Sequence, residues 1–184
     1  MRRLAPGLAC VLALAVAAPA GATTAARLTN EGLTEVAELI VIGRAEASRA
    51  VWIDRQLVML VTVTVSETLK GTAGASVTVA LPGGIDAQRR FPLAVTWPGA
   101  PTLSAQEDVL LFLVTVNEVP DAHMIAGFSQ GKFSIVEENG VTSVSRDLSR
   151  VDLVGPRGTA RGTRSSAPLA RFKDEIRSYL RDRN

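Results

Sequence analysis

Leu57-Val58-Met59-Leu60-Val61-Thr62-Val63-Thr64-Val65-Ser66-Glu67-Thr68-Leu69 decides the fold class. Met59, Val61, Val63 and Val65 alternate with Thr62, Thr64 and Ser66, the period of two expected of a strand, and the branched side chains favour the pleat. The run stops at Lys70-Gly71. Toward the C-terminus, Ser76–Leu81 forms a second strand with Val77, Val79 and Leu81 on one face, broken by Pro82-Gly83-Gly84. Toward the N-terminus, Leu39-Ile40-Val41-Ile42 is apolar at every position and reads as a buried strand, whose continuation Gly43-Arg44-Ala45-Glu46 brings one face into solvent. Before it, Thr29 or Asn30 caps a short helix through Ala37, with Leu33, Val36 and Ala37 on one face.

Further on, Asp108–Val116 puts Val109, Leu111 and Leu113 on one side and Leu110, Phe112 and Val114 on the other, which predicts a central strand covered on both faces. Met124–Phe128 and Lys132–Val136 flank Ser129-Gln130-Gly131. Asn139-Gly140 is then a strong hairpin signal, with the chain returning through Val141–Val144. Ile85–Ala105 holds no period and carries Pro92, Pro98, Gly99 and Pro101 around Trp97, so it reads as a long loop of functional or poorly ordered character. These patterns predict a β domain over residues 28–150, a flexible basic linker over 151–167 and an amphipathic helix over 168–182. In that helix Ser166 is the expected cap, Pro168 fits the first turn, and Leu169, Phe172, Ile176 and Leu180 share a stripe.

The first 22 residues read as a cleavable secretory signal. Arg2 and Arg3 form a basic start, Leu8–Ala18 is apolar, and small residues allow cutting after Ala22 or Ala20. The apolar run is too short to span a bilayer before Pro19 and Gly21 interrupt it, so an exported chain without a transmembrane span is expected, periplasmic or secreted. Cleavage removes Cys10, the only cysteine, leaving no thiol for a disulfide, a metal or catalysis. It also removes the two arginines responsible for the formal net charge of +2, so no nucleic-acid footprint remains. Charge within the mature chain is uneven: from Arg150 onward nine basic residues face four acidic ones, while the body is acidic. The basic tail either folds back on its own domain or docks on an anionic partner.

His123 is the single histidine. It stands in a turn after Pro120, and no nucleophile sits in a glycine-flanked elbow, so no catalytic residue is assigned. One histidine cannot make a zinc site, and the acidic pairs Glu107-Asp108 and Glu137-Glu138 lack calcium-loop spacing, so no metal and no cofactor are expected. Gly83-Gly84 has no following lysine and serine and reads as a strand-end turn, not a phosphate cradle. Trp52 and Trp97 either cap an open barrel end or form a contact surface.

The order of a lead helix, Ala37-Glu38-Leu39-Ile40-Val41-Ile42-Gly43-Arg44, a long strand ending in Leu69-Lys70-Gly71, and Glu107-Asp108-Val109-Leu110-Leu111-Phe112-Leu113 resembles the netrin-like/TIMP-like module. Pro82-Gly83-Gly84 and Gly127-Phe128-Ser129-Gln130-Gly131-Lys132-Phe133 also resemble a group of uncharacterised secreted bacterial proteins. The first resemblance implies an OB-like five-stranded barrel with an added hairpin, used to bind proteins or sugars. The module's metalloprotease inhibition works through an N-terminal cysteine and does not carry over to a cysteine-free mature chain. The expectation is therefore an exported, non-catalytic binding or accessory protein with a protein or glycan partner and no nucleic acid. Recognition is placed on loops and turns at Gly83, Gly84, Arg89, Arg90, Trp97, Gln130 and Lys132. The alternatives are a hydrolase of unrecognised type, which would gather His123 with a serine and a carboxylate, and a structural envelope protein docked through its basic tail.

Overall fold

The computed structural model of the chain describes residues 23–117 and 119–183. The expected secretory leader over residues 1–22, with Cys10, lies outside the described residues. In chain order the elements are β1 (Thr23–Ala26), α1 (Asn30–Val36), β2 (Leu39–Ile53), β3 (Gln56–Lys70), β4 (Ser76–Pro82), β5 (Gly84–Asp86), β6 (Leu93–Val95), β7 (Asp108–Thr115), β8 (Ala122–Ile125), β9 (Lys132–Glu138), β10 (Val141–Asp147), β11 (Val151–Gly155), β12 (Gly158–Arg161), β13 (Arg164–Pro168) and α2 (Leu169–Asp182). The fold is mainly β, with a short helix near its start and an amphipathic helix at its end.

Alternation in β3 works as its side chains dictate. Val61 and Val63 are buried, while Thr62 and Thr64 are exposed. β3 pairs antiparallel with β2 and β4, β4 pairs in parallel with β8, β8 joins β7, and β7 returns to β2. Counting only these five strands in chain order, the closed ring runs 1-2-3-5-4-1, an OB-like order. Its interior is packed by Leu39, Val41, Val61, Val63, Val79, Leu111 and Leu113. The alternate residues of β2 and β7, Ile40, Ile42, Leu110 and Phe112, are buried outside the ring against the helices. Both strands are therefore covered on both faces, as their unbroken apolar runs require.

β2 is longer than its apolar run predicts. It continues through Ala45–Ile53 beyond an irregularity between Ala45 and Ser48, then turns at Asp54 and Arg55, both at positive φ. Ile85–Ala105 is not wholly a loop, since β5 and β6 form a small hairpin within it. Met124–Phe128 is a strand only to Ile125, because Gly127 and Phe128 turn the chain at positive φ. One edge of β7 is shared: Leu113–Thr115 pair with β8, and Val109–Leu111 with β9. At the fork Phe112 donates its N–H to Gly131 O and accepts from Ala126 N. A side chain at Gly131 would lie 2.7 Å from Ala126 O and 3.0 Å from Phe112 O, so only glycine lets the strands divide there. β9 and β10 form the expected hairpin across Asn139 and Gly140, both at positive φ.

Residues 151–167 correct the linker expectation. β11 pairs in parallel with β1 and antiparallel with β12, and β13 adds to the edge of β10. The 28–150 boundary is crossed as well, because β1 begins at Thr23. Backbone pairing holds this stretch where its polar side chains give no period. Ser166 lies within β13 and does not cap α2, whose N-terminus has Pro168 and no side-chain cap.

Packing positions α2. Phe172 and Ile176 are buried, and the Phe172 ring lies 4.7 Å from Phe133 and 6.3 Å, edge-on, from Phe112. Around that contact Glu67 receives Lys173 Nζ at 2.5 Å and Arg177 Nη2 at 2.8 Å, and Arg183 reaches Glu35 at 2.6 Å. Of the two fates open to the basic tail, its helical part takes the first and lies on its own domain. Among the described residues no helix is long and apolar enough to cross a membrane.

Candidate functional site

The sheet that extends from β7 through β9, β10 and β13 has one face toward the core and one toward a groove. Phe133, Ile135, Val144 and Ala167 go inward, joined by Arg146, whose guanidinium lies 4.6 Å over the Phe133 ring. Strand alternation therefore puts Lys132, Ser134, Ser143, Ser145, Asp147, Arg164 and Ser166 on the other face. Pairing register sets Ser134 opposite Ser145 and Ser145 opposite Ser166, a row of three hydroxyls across three strands. The segment Gly99–Thr102 and the turn at Ser149–Val151 close the sides of a groove of about 920 Å³.

One end of the groove is organised by charge. Lys132 Nζ lies 2.5 Å from Glu107 Oε1 and donates to Ser134 Oγ at 2.8 Å, while Ser134 donates to the same carboxylate oxygen at 2.7 Å. The Ser104 N–H donates to Glu107 Oε2 at 3.0 Å. Burial opposes ionisation of Glu107, but the bonds from Lys132, Ser104 and Ser134 together hold its carboxyl below the ordinary value. Across the neighbouring strands Arg164 pairs with Asp147 at 2.7 Å. Among the described residues Arg150, which lines the groove, makes no ion pair, and Ser129, which lines it at 9% exposure, has no partner for its buried Oγ.

A second groove of about 540 Å³ adjoins the first along Gly99–Thr102 and Arg150. Trp97, 48% exposed, lines it together with Pro82 and Gly84. Trp97 also bounds a cavity of about 410 Å³ walled by Leu57, Val58, Leu81, Val119 and Met124. Its ring thus lies between that apolar cavity and the smaller groove, whose own walls are mainly apolar. Gly83 lies beneath it at φ 85°, where a side chain would meet Val95 O at 2.4 Å. The neighbouring Gly84, at φ 127°, makes way for Met59. Both glycines shape the turn and offer no chemistry of their own.

The seven residues expected to bind are therefore dispersed. Lys132 faces the larger groove; Gly84 and Trp97 face the smaller, with Gly83 below. Arg89 and Arg90 belong to the β5–β6 loop and line neither groove. Gln130 is a correction, because it is buried at 1% exposure and holds the chain together. Its amide accepts from Leu28 N at 2.9 Å and donates to Ala26 O at 2.8 Å and Gly127 O at 3.1 Å. Sequence reasoning missed Ser134, Ser145, Ser166 and Arg150. Alternation along β9 and β10 carries the signal for the first two, whereas Ser166 and Arg150 fall in or beside the stretch read as linker.

His123 stands on β8 opposite Thr115. The Thr115 hydroxyl and N–H donate to Glu38, holding that carboxyl below its ordinary value. His123 lines neither groove nor the cavity beside Trp97, and its Nδ1 is buried without a partner. Among the described residues no three His, Cys, Asp or Glu side chains gather as metal ligands. No family model, curated protein or solved structure matches this chain.

Proposed function

We propose that this is an exported, non-catalytic binding protein that takes a glycan chain along the hydroxyl-floored groove and its smaller neighbour. The observation that carries this reading is the row Ser134–Ser145–Ser166 in a wide groove with Ser129 and Arg150 left unmatched. Ser134 is engaged with Lys132 and Glu107, but the hydroxyls of Ser145 and Ser166 are able to donate and accept as do the hydroxyls of a sugar, so the row suits a ligand that presents many such groups at once. Trp97 at the far end offers a ring face against which a sugar ring can pack, the usual partnership of an apolar surface with a few placed polar groups. Export rests on the leader at residues 1–22.

The hydrolase reading lacks support in the position of His123, which lines neither groove nor the cavity beside Trp97. Against a structural envelope protein docked through its basic tail stand the ion pairs of Lys173 and Arg177 with Glu67 and of Arg183 with Glu35, which tie the helix of that tail to its own domain beside the buried Phe172 and Ile176. The test is a glycan array probed with the labelled chain from Thr23 onward, beside a Ser145→Val variant whose branched side chain suits the strand. Retention of the parent on particular glycans, lost in the variant, is the expected result. Absence of any retention, or equal retention by both, removes the groove from consideration.

A further inference from the structure

The β5–β6 hairpin borders the smaller groove through Ile85, Ala94 and Val95, but its loop, residues 87–92, lines neither groove. Its loop holds Phe91 at 77% exposure, with Ile85 at 59% and Leu93 at 38%. Trp52, on β2 beside it, is 40% exposed. A single exposed apolar residue needs no explanation, but four in one place mark a contact surface. The loop is also built to keep them there. Asp86 Oδ2 accepts from Trp52 Nε1 at 2.8 Å and from Arg89 Nε at 3.0 Å, and its Oδ1 accepts from Gln88 N at 3.2 Å. The Arg89 guanidinium lies 4.6 Å over the Trp52 ring, and that of Arg90 lies 5.6 Å over Phe91. These contacts fix a conformation in which the largest apolar side chain of the loop points away from the fold.

Chemistry and shape together select the occupant. Ile85 pairs with Ala94 and Asp86 with Leu93, so Ile85 and Leu93 stand on opposite faces of the hairpin and both are covered only if its tip enters a medium from above. Cations are interleaved with the apolar groups: Arg89, Arg90, and Arg55 in the β2–β3 turn three residues beyond Trp52. Of the nearby acids Asp54 and Asp86, the second is already paired with Arg89. A tip that is apolar at its end and cationic around it matches a layer that is apolar below and anionic at its face. We infer that the β5–β6 hairpin is a membrane-surface anchor, with Phe91, Ile85 and Leu93 entering the headgroup region of an anionic bilayer while Arg90 meets lipid phosphates. This goes beyond the glycan reading and does not depend on it.

Co-sedimentation of the chain from Thr23 onward with phosphatidylglycerol–phosphatidylethanolamine vesicles, and with phosphatidylcholine vesicles, tests the anchor. The parent is expected to partition onto the anionic vesicles, with weaker binding as salt rises. Phe91→Ala is expected to lower the partition about tenfold, and Arg90→Gln about fivefold. Because Phe91 is exposed, Phe91→Ala keeps the parent's melting temperature, which separates lost binding from lost folding. A parent that ignores both vesicle types overturns the inference, as does equal partition of the parent and Phe91→Ala. Capture of a protein partner that depends on Phe91, without any vesicle binding, overturns it in favour of a protein pocket.

Discussion

Phe172→Ala tests whether the C-terminal helix is part of the folded unit. Phe172 is 2% exposed and completes a three-ring cluster with Phe112 and Phe133. Burying a phenylalanine side chain is worth about 1.5–3 kcal/mol in transfer. The ring pairs add about 0.5–1.5 kcal/mol, and incomplete collapse of the vacated space brings such truncations to roughly 3–5 kcal/mol. For a chain of this size that corresponds to a melting temperature lower by about 10 °C. Denaturant unfolding followed by tryptophan fluorescence and by far-ultraviolet circular dichroism reads it. Trp52 and Trp97 lie away from α2, so a fluorescence midpoint that falls with Phe172→Ala ties the helix to the whole domain. Arg181→Ala, on an exposed part of the helix, is expected to leave the midpoint in place. An unchanged fluorescence midpoint for Phe172→Ala, with helical signal lost in a separate earlier step, would refute a docked helix.

Gly131→Ala is expected to destabilise by about 3 kcal/mol, since its side chain has only backbone to displace. Gly140→Ala, with open space around it but φ at 74°, is expected to lose about 1 kcal/mol; equal midpoints for the two variants contradict the account of the fork. Glu107 has a carboxyl held below its ordinary value by Lys132, Ser104 and Ser134 against the cost of burial. Its contribution is therefore complete above the ordinary carboxylate range and is lost as pH falls through the lowered value. Glu107→Gln should accordingly make thermal stability less steeply dependent on pH in the acid range, and an identical slope would contradict that role.

The ring was legible where both faces of a strand, or one face and its alternation, had to meet apolar neighbours. β3, β7 and the start of β2 carry that demand in nearly every residue, and Asn139-Gly140 needs positive φ at both positions. The stretch from Gly155 to Ser166 was illegible for the opposite reason. β12 is exposed along its length and β13 almost so, and their place comes from backbone pairing with β11 and β10, which imposes little on side chains. β1 escaped notice similarly, as a four-residue strand whose partner is more than a hundred residues away. The groove inherits this. Its hydroxyl row depends on the register of three strands, one of them unpredicted, while Gln130 lies among turn residues that look exposed in sequence and becomes buried only when Ala26 and Leu28 return to it.

Backbone amide NMR of the chain from Thr23 onward, titrated with a glycan retained on the array, tests the groove most directly. The account predicts shifts concentrated in Lys132–Asp147, Gly99–Thr102 and Arg150, with the Trp97 indole signal moving alongside them and all of these lost in Ser145→Val. Shifts confined to other surfaces, or unaltered by Ser145→Val, would contradict it.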